Sequence, residues 1–129
     1  MNEENKGQII LYQSEDGQTK LEVQLQDDTV WLSLDQMAEL FQRNKSTISR
    51  HIRNIFEEGE LKAEATVAKF ATVVNRGFRG ASEDMIDYYN LDMIISVGYR
   101  VHSHRGVQFR MWATAVLKEY IIKGFALND

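Results

Sequence analysis

An α+β fold is what this sequence predicts, and three patterns predict it. Leu21, Val23 and Leu25 alternate with Glu22, Gln24 and Gln26, the period of a half-buried strand. Further on, Leu34, Met37, Ala38 and Phe41, then Ile48, Ile52, Ile55 and Phe56, recur at helical spacing, each set on one helix face. A β-leaning run, a turn rich in Gly and Arg and a second extended run follow, before helical spacing returns.

In chain order, "QIILYQ" and "KLEVQLQ" read as two strands joined by a polar turn over Ser14–Thr19. "TVWLS" is a third strand after a turn at Asp27-Asp28, with Trp31 in the core. Ser33 followed three residues later by Gln36 is a capping box, so a helix begins there. Gln42 to Asn44 interrupt the pattern, Asn44 caps the next helix, and that helix ends around Gly59. Two short amphipathic helices joined by a turn of three or four residues form a helix-turn-helix pattern. "ATVAKFATVV", "NRGFRG" and "EDMIDYYNL" then read as strand, basic turn and strand, placed where a wing would be. Asn90 or Asp92 caps a helix through "LDMIISVGYRV", and "HSHRG" reads as a loop. The last helix turns Phe109, Trp112, Ala113, Val116, Leu117 and Tyr120 inward and stops at Gly124. The expected architecture is one winged helix-turn-helix-like domain over 1–129. It has an N-terminal β-hairpin and strands (1–32), the winged element (33–90) and a C-terminal helical pair (91–129).

Composition narrows the function classes. With 43% hydrophobic and 10% aromatic residues in 129, the chain can bury a core. It has no cysteine, hence no disulfide framework and no thiolate metal site. "MNEENKGQ" is polar and acidic, unlike a secretory leader, and no apolar run approaches a membrane span. A cytoplasmic setting without a membrane partner is expected.

The formal charge is −4, yet the charge is unevenly placed. Residues 1–39 carry nine acids against Lys6 and Lys20. Three basic windows follow, and they hold 11 of the 15 Lys and Arg. The first, with Arg43, Lys45, Arg50 and Arg53, has no acid between Leu40 and Phe56. The second holds Lys69, Arg76 and Arg79; the third holds Arg100, Arg105, Arg110 and Lys118. Phosphate contacts depend on the local field, so net charge is a poor guide.

If Ile48, Ile52, Ile55 and Phe56 face the core, then Lys45, Ser46, Thr47, Ser49, Arg50 and Arg53 face outward. Such a face suits duplex DNA. Small hydroxyl residues near a helix N-terminus allow close approach, and Arg50 can reach guanine O6 and N7 or a phosphate. Arg76 and Arg79 at the hairpin tip would lie along the backbone or in the minor groove. These eight residues are the candidate DNA-binding set. The bland alternative is an ordinary helix pair with a solvated basic exterior. Helix-turn-helix readers commonly dimerise, and Tyr120, Ile121, Ile122 and Phe125 form a candidate homodimer face. A competing function is a protein-interaction module that keeps the fold without DNA contact, its acidic N-terminal third meeting a basic partner.

Arg100, His102, His104, Arg105, Gln108 and Arg110 crowd the distal segment. As a functional site they would form a second phosphate patch or a partner surface; the favoured reading instead makes Arg100 and Arg110 salt-bridge partners of Asp92, Asp87 or the acidic N-terminal strands. His102 and His104 lack a third ligand, so no metal is expected. Trp112 and Tyr120 read as core. No catalytic set is evident: Ser46 and His51 do not face each other, and "NRGFRG" lacks the Gly-Lys-Ser/Thr ending of a phosphate loop. A metal nuclease using Asp84 and Asp87 is the remote enzymatic reading. The expectation is a non-enzyme with no cofactor and no small-molecule substrate.

The stretch "YYNLDMIISVGYRVHSHRGVQFRMWATAVLKEYIIKGFALND", Tyr88 to Asp129, resembles the RhuM family of bacterial virulence-associated proteins. It shares Tyr-Asn-Leu-Asp, an Ile-Ser-Val-Gly-Tyr-Arg-Val segment, an Arg-Gly-x-x-Phe-Arg-x-Trp-Ala segment and a helix ending in Lys-Gly. "VWLSLDQMAELFQRNKSTISRHIRNIFEEGEL" is similar to the family's N-terminal part. The resemblance runs from about Ile9 and is least over 62–85. It implies a DNA-binding protein, regulatory and linked to phage-derived or mobile elements, with a distant similarity to the N-terminal domains of phage antirepressor-type proteins. It also implies that the chain is the N-terminal part of a longer protein.

Overall fold

The computed structural model describes residues 7–127, with side chains to residue 120. Five strands form one antiparallel sheet in the order β1-β2-β3-β5-β4. They are β1 (Gln8–Gln13), β2 (Lys20–Gln26), β3 (Thr29–Ser33), β4 (Val67–Asn75) and β5 (Ala81–Asn90). The helices are α1 (Leu34–Phe41), α2 (Lys45–Glu57), the single turn α3 (Ala63–Thr66), α4 (Leu91–Arg100) and α5 (His104–Leu127). The α+β class is thus as expected. No helix among the described residues is long and apolar enough to cross a membrane.

Local chemistry explains the first three strands. Asp27 and Asp28 both take positive φ (56° and 62°), the two-residue turn whose twist suits a tight hairpin. Tyr12, Leu21, Val23, Leu25, Val30 and Leu32 point to one sheet face and are buried. They pack in one cluster with Met37, Leu40, Phe41, Ile48, Ile52, Ile55, Met93, Ile94, Val97 and Phe109 from the helices. Trp31 points to the other face, where it meets Phe70 edge-on at 5.6 Å; its Nε1 donates to the Gln26 carbonyl.

Two caps launch helices from strand ends. Ser33 Oγ accepts from Gln36 N, and Gln36 Oε1 accepts from Ser33 N, completing the capping box. Asn90 Oδ1 accepts from Met93 N to start α4, while its Nδ2 donates to the Ala65 carbonyl. Asn44 occupies the N-cap of α2, but its side chain makes no cap bond. Gln42, Arg43 and Asn44 alone separate α1 from α2; Gln42 is left-handed (φ 56°) and closes α1.

Two expectations need correction. "HSHRG" is not wholly a loop: His102, left-handed at φ 54°, follows α4, and His104 already opens α5. Gly106 lies inside α5 because α4 and α5 pass closely there. A Cβ on Gly106 would sit 3.1 Å from Phe41 Cε1 and 3.4 Å from Gly98 Cα. Finally, Gly124 does not stop α5, which runs on to Leu127. A glycine costs only about 1 kcal/mol in a helix, and a long helix absorbs it.

Candidate nucleic-acid interface

α2 sorts its residues as its periodicity predicts. Ile48, Ile52 and Ile55 are buried, and Phe56 is half-buried against the core. Lys45, Ser46, Ser49, Arg50 and Arg53 are exposed, and Thr47 is half-exposed. The free N–H groups of the first turn open beside Ser46 and Thr47, because no side chain caps them. Lys45 Nζ lies 2.9 Å from Asp35 Oδ1, an exposed pair of little energetic weight. Among the described residues, no carboxylate engages Arg50 or Arg53. The His51 imidazole is held below its ordinary pKa by partial burial, then by the charges of Arg50 and Arg100.

The turn before α2 is braced by the remaining cation of the first window. Arg43 Nη1 donates to the carbonyls of Phe41 (3.1 Å) and Gln42 (3.2 Å), and its Nη2 donates to the Val101 carbonyl (3.1 Å). Arg43 therefore fixes α2 relative to the end of α4 rather than facing a partner.

The second window is the β4–β5 hairpin. Lys69 pairs with Asp87 across the strands at 2.6 Å. Arg76 is bound by Asp84 and also donates its Nε to Ser82 Oγ at 2.6 Å. Arg79 has no side-chain partner among the described residues. The hairpin stands beside the start of α1: Ser33, Asp35, Thr72, Val74, Asn75 and Tyr88 help line a pocket of about 290 Å³. Through Asp35, that pocket borders Lys45 and the N-terminus of α2. Thus α2 and the hairpin share α1 as a neighbour. Phe78, at the hairpin tip, went unremarked in the sequence; an apolar residue flanked by Gly77 and Arg79 in a turn is the signal that could have found it.

Two cations of the third window, Arg100 and Arg105, are engaged within the fold. Arg100 Nη2 donates to Glu58 Oε1 and Glu60 Oε1, both at 2.8 Å, and Ser96 Oγ donates to Glu60 Oε2 at 2.7 Å. Arg105 Nε donates to the Leu40 carbonyl at 2.5 Å, its Nη2 donates to Thr19 Oγ1, and Asp16 lies 3.6 Å away. Gln108 Nε2 donates to Glu15 Oε2. The salt-bridge expectation for Arg100 and Arg110 is corrected: Arg100 pairs with Glu58 and Glu60 rather than Asp92, Asp87 or the N-terminal strands, and it is Arg105 that meets the acidic β1–β2 turn. Arg110 has no carboxylate partner among the described residues. With His102, His104, Tyr99 and Val107 it lines a groove of about 410 Å³ between α4 and α5. Trp112 packs with Tyr12 and Phe109, at 5.0 and 5.5 Å between rings. Of the candidate dimer face, Tyr120 packs against the core, and the side chains of Ile121, Ile122 and Phe125 lie outside the described residues.

Fold and site together define an α+β domain that presents an exposed basic helix beside a projecting two-stranded hairpin. The model of the Virulence protein RhuM family matches residues 65–129, half of the chain, and the chain belongs to that family. The match takes in the hairpin, α4 and α5, and begins after α1 and α2. No curated protein and no solved structure matches the chain.

Proposed function

We propose that this domain binds duplex DNA, with α2 lying in the major groove and the hairpin following the backbone or minor groove as a wing. One observation carries this: α2 exposes Arg50 and Arg53, unengaged by carboxylates among the described residues, on a stretch with no acid from Leu40 to Phe56. Arg50 is suited to guanine O6 and N7 or a phosphate, and Arg53, one turn on, to a phosphate. Ser46, Thr47 and Ser49 let the backbone approach, and the uncapped first turn favours phosphate. Arg79 would track the backbone; Arg76, tied to Asp84, would act mainly by holding the tip. In this reading the domain is a cytoplasmic regulatory DNA reader, phage-linked and without catalysis, and it acts as a homodimer on paired half-sites.

Selection on random duplexes, followed by titration at rising salt, tests it. Affinity should fall steeply with salt, each phosphate neutralised adding about 0.9 to the log–log slope. A pool that yields no enriched duplex, with no salt-dependent binding, contradicts it. Plasmid left intact with magnesium or manganese is the result expected of a non-enzyme.

A second reading, a protein-interaction module without DNA contact, draws on Val73 and Met85, both exposed on the hairpin. It predicts that Val73→Ser weakens partner capture while Arg50→Ala leaves it unchanged.

A further inference from the structure

Phe78 is the part of the hairpin tip that this DNA reading leaves unused. Its relative exposure is 103%, so nothing among the described residues covers it. A single exposed apolar residue is ordinary in itself; the placement of this one is not. β3 pairs with β5 only across Tyr88–Asn90, whereas β4 and β5 go on pairing out to Asn75 and Ala81. The distal hairpin therefore stands beyond the third strand, with Phe78 at its end. The tip is built to hold its shape. Arg76 N donates to the Gly80 carbonyl, Gly80 N to the Gly77 carbonyl and Gly77 N to Asn75 Oδ1, each at 2.9 Å. Gly77 and Gly80 take φ of 70° and 86°, which side-chain-bearing residues rarely adopt.

Charge selects the partner. No acid lies between Glu64 and Glu83 in sequence; Glu83 itself is exposed on β5 opposite Val73, below the tip, and Asp84 is bound by Arg76. Arg79, next to Phe78, is unpaired among the described residues. An exposed ring beside a cation, on a braced projection without a free acid at its tip, matches the polyanionic groove of a duplex. Proteins that hold the minor groove through Arg often drive an apolar side chain between base pairs and kink the helix.

We infer that Phe78 is a wedge: it enters the minor groove, partly unstacks one base step and bends the duplex. This rests on the DNA reading above and adds to it a class of target, duplexes with a flexible pyrimidine–purine step under the tip. Such steps unstack at the least cost.

The test uses the full chain and short duplexes selected for binding. Each duplex carries a dye at either end and 2-aminopurine beside a central TA step. At saturation, the wild type should bend the duplex by roughly 20° or more and brighten the 2-aminopurine. Phe78→Ala, an exposed tip substitution, should bind yet lose both signals, and Phe78→Leu should keep part of each. If Phe78→Ala bends and brightens like the wild type, or the wild type binds without bending, the wedge is wrong and the DNA reading stands. Sedimentation of the free protein that shifts with Phe78→Ala overturns it in favour of a second copy at the tip. If the wild type binds no duplex while the fold is intact, both readings fall.

Discussion

The outer face of α2 and the α4–α5 junction start from the same sequence property and end in opposite states. Each carries several cations with no nearby acid in sequence. On α2, Arg50 and Arg53 stay unengaged by carboxylates among the described residues. At the junction, Arg100 is taken by Glu58 and Glu60, and Arg105 by the Leu40 carbonyl, Thr19 and Asp16. A run of basic residues is therefore a poor predictor of a binding surface. What decides is whether the fold brings acids or carbonyls from far along the chain. Glu58, Glu60, Leu40 and Thr19 lie 40 to 86 residues away from the arginines they bind.

The comparison can be broken by substitution, and the largest effect belongs to α2. Arg50→Ala with Arg53→Ala should cost about 2–6 kcal/mol of duplex affinity, at about 1–3 per contact, with melting almost unchanged. Fluorescence anisotropy beside a thermal melt reads both; an unfolded variant or an unchanged affinity would erase the distinction. Arg105→Ala should do the reverse. It strands the part-buried Leu40 carbonyl and Thr19 hydroxyl, costing about 1–3 kcal/mol of stability. A Tm lowered by roughly 5 °C or more is expected, and an unchanged Tm would show that these bonds are idle.

Gly106→Ala sharpens the contrast from the packing side. The new methyl meets Phe41 and the Gly98 backbone, so helix and helix must part, at about 1–3 kcal/mol. A variant as stable as the wild type would mean that the close approach is not needed. The smallest effect is electrostatic. Hydrogen bonding to Arg100, and first to Ser96 for Glu60, holds both carboxyls below their ordinary 4.5. Their folded pKa values are depressed, so the stabilisation is fully present above about 4.5 and is lost as pH falls through the folded values. Both groups are largely exposed, so solvent screening keeps it small. Denaturant melts from pH 6 to 3 should show a shallower acid loss for Arg100→Gln than for the wild type. Parallel curves would speak against the pairing.

What was legible in the sequence was local. The first three strands follow from alternation, their two-Asp turn and the residues that bound them. Ser33 with Gln36, and Asn90, announce α1 and α4 by short-range capping. The buried faces of α1 and α2 follow from spacing. What was not legible depended on distance. "HSHRG" is polar and contains glycine, so it reads as a loop, yet Gly106 is helical because Gly98 and Phe41 press against it. Within the candidate site, the exposure of the α2 cations followed from periodicity. The capture of Arg76 by Asp84 did not, because cross-strand register sets it. Phe78 was missed because a turn aromatic gives no periodic signal.

The salt dependence of duplex binding tests the central claim most directly. It should be measured for the wild type, for Arg50→Ala with Arg53→Ala, and for Arg100→Gln with Glu58→Gln, a pair that leaves net charge unchanged. The slope should fall by about 1 for each α2 arginine removed that meets a phosphate, and stay at the wild-type value in the junction pair. Equal slopes in all three proteins would contradict it.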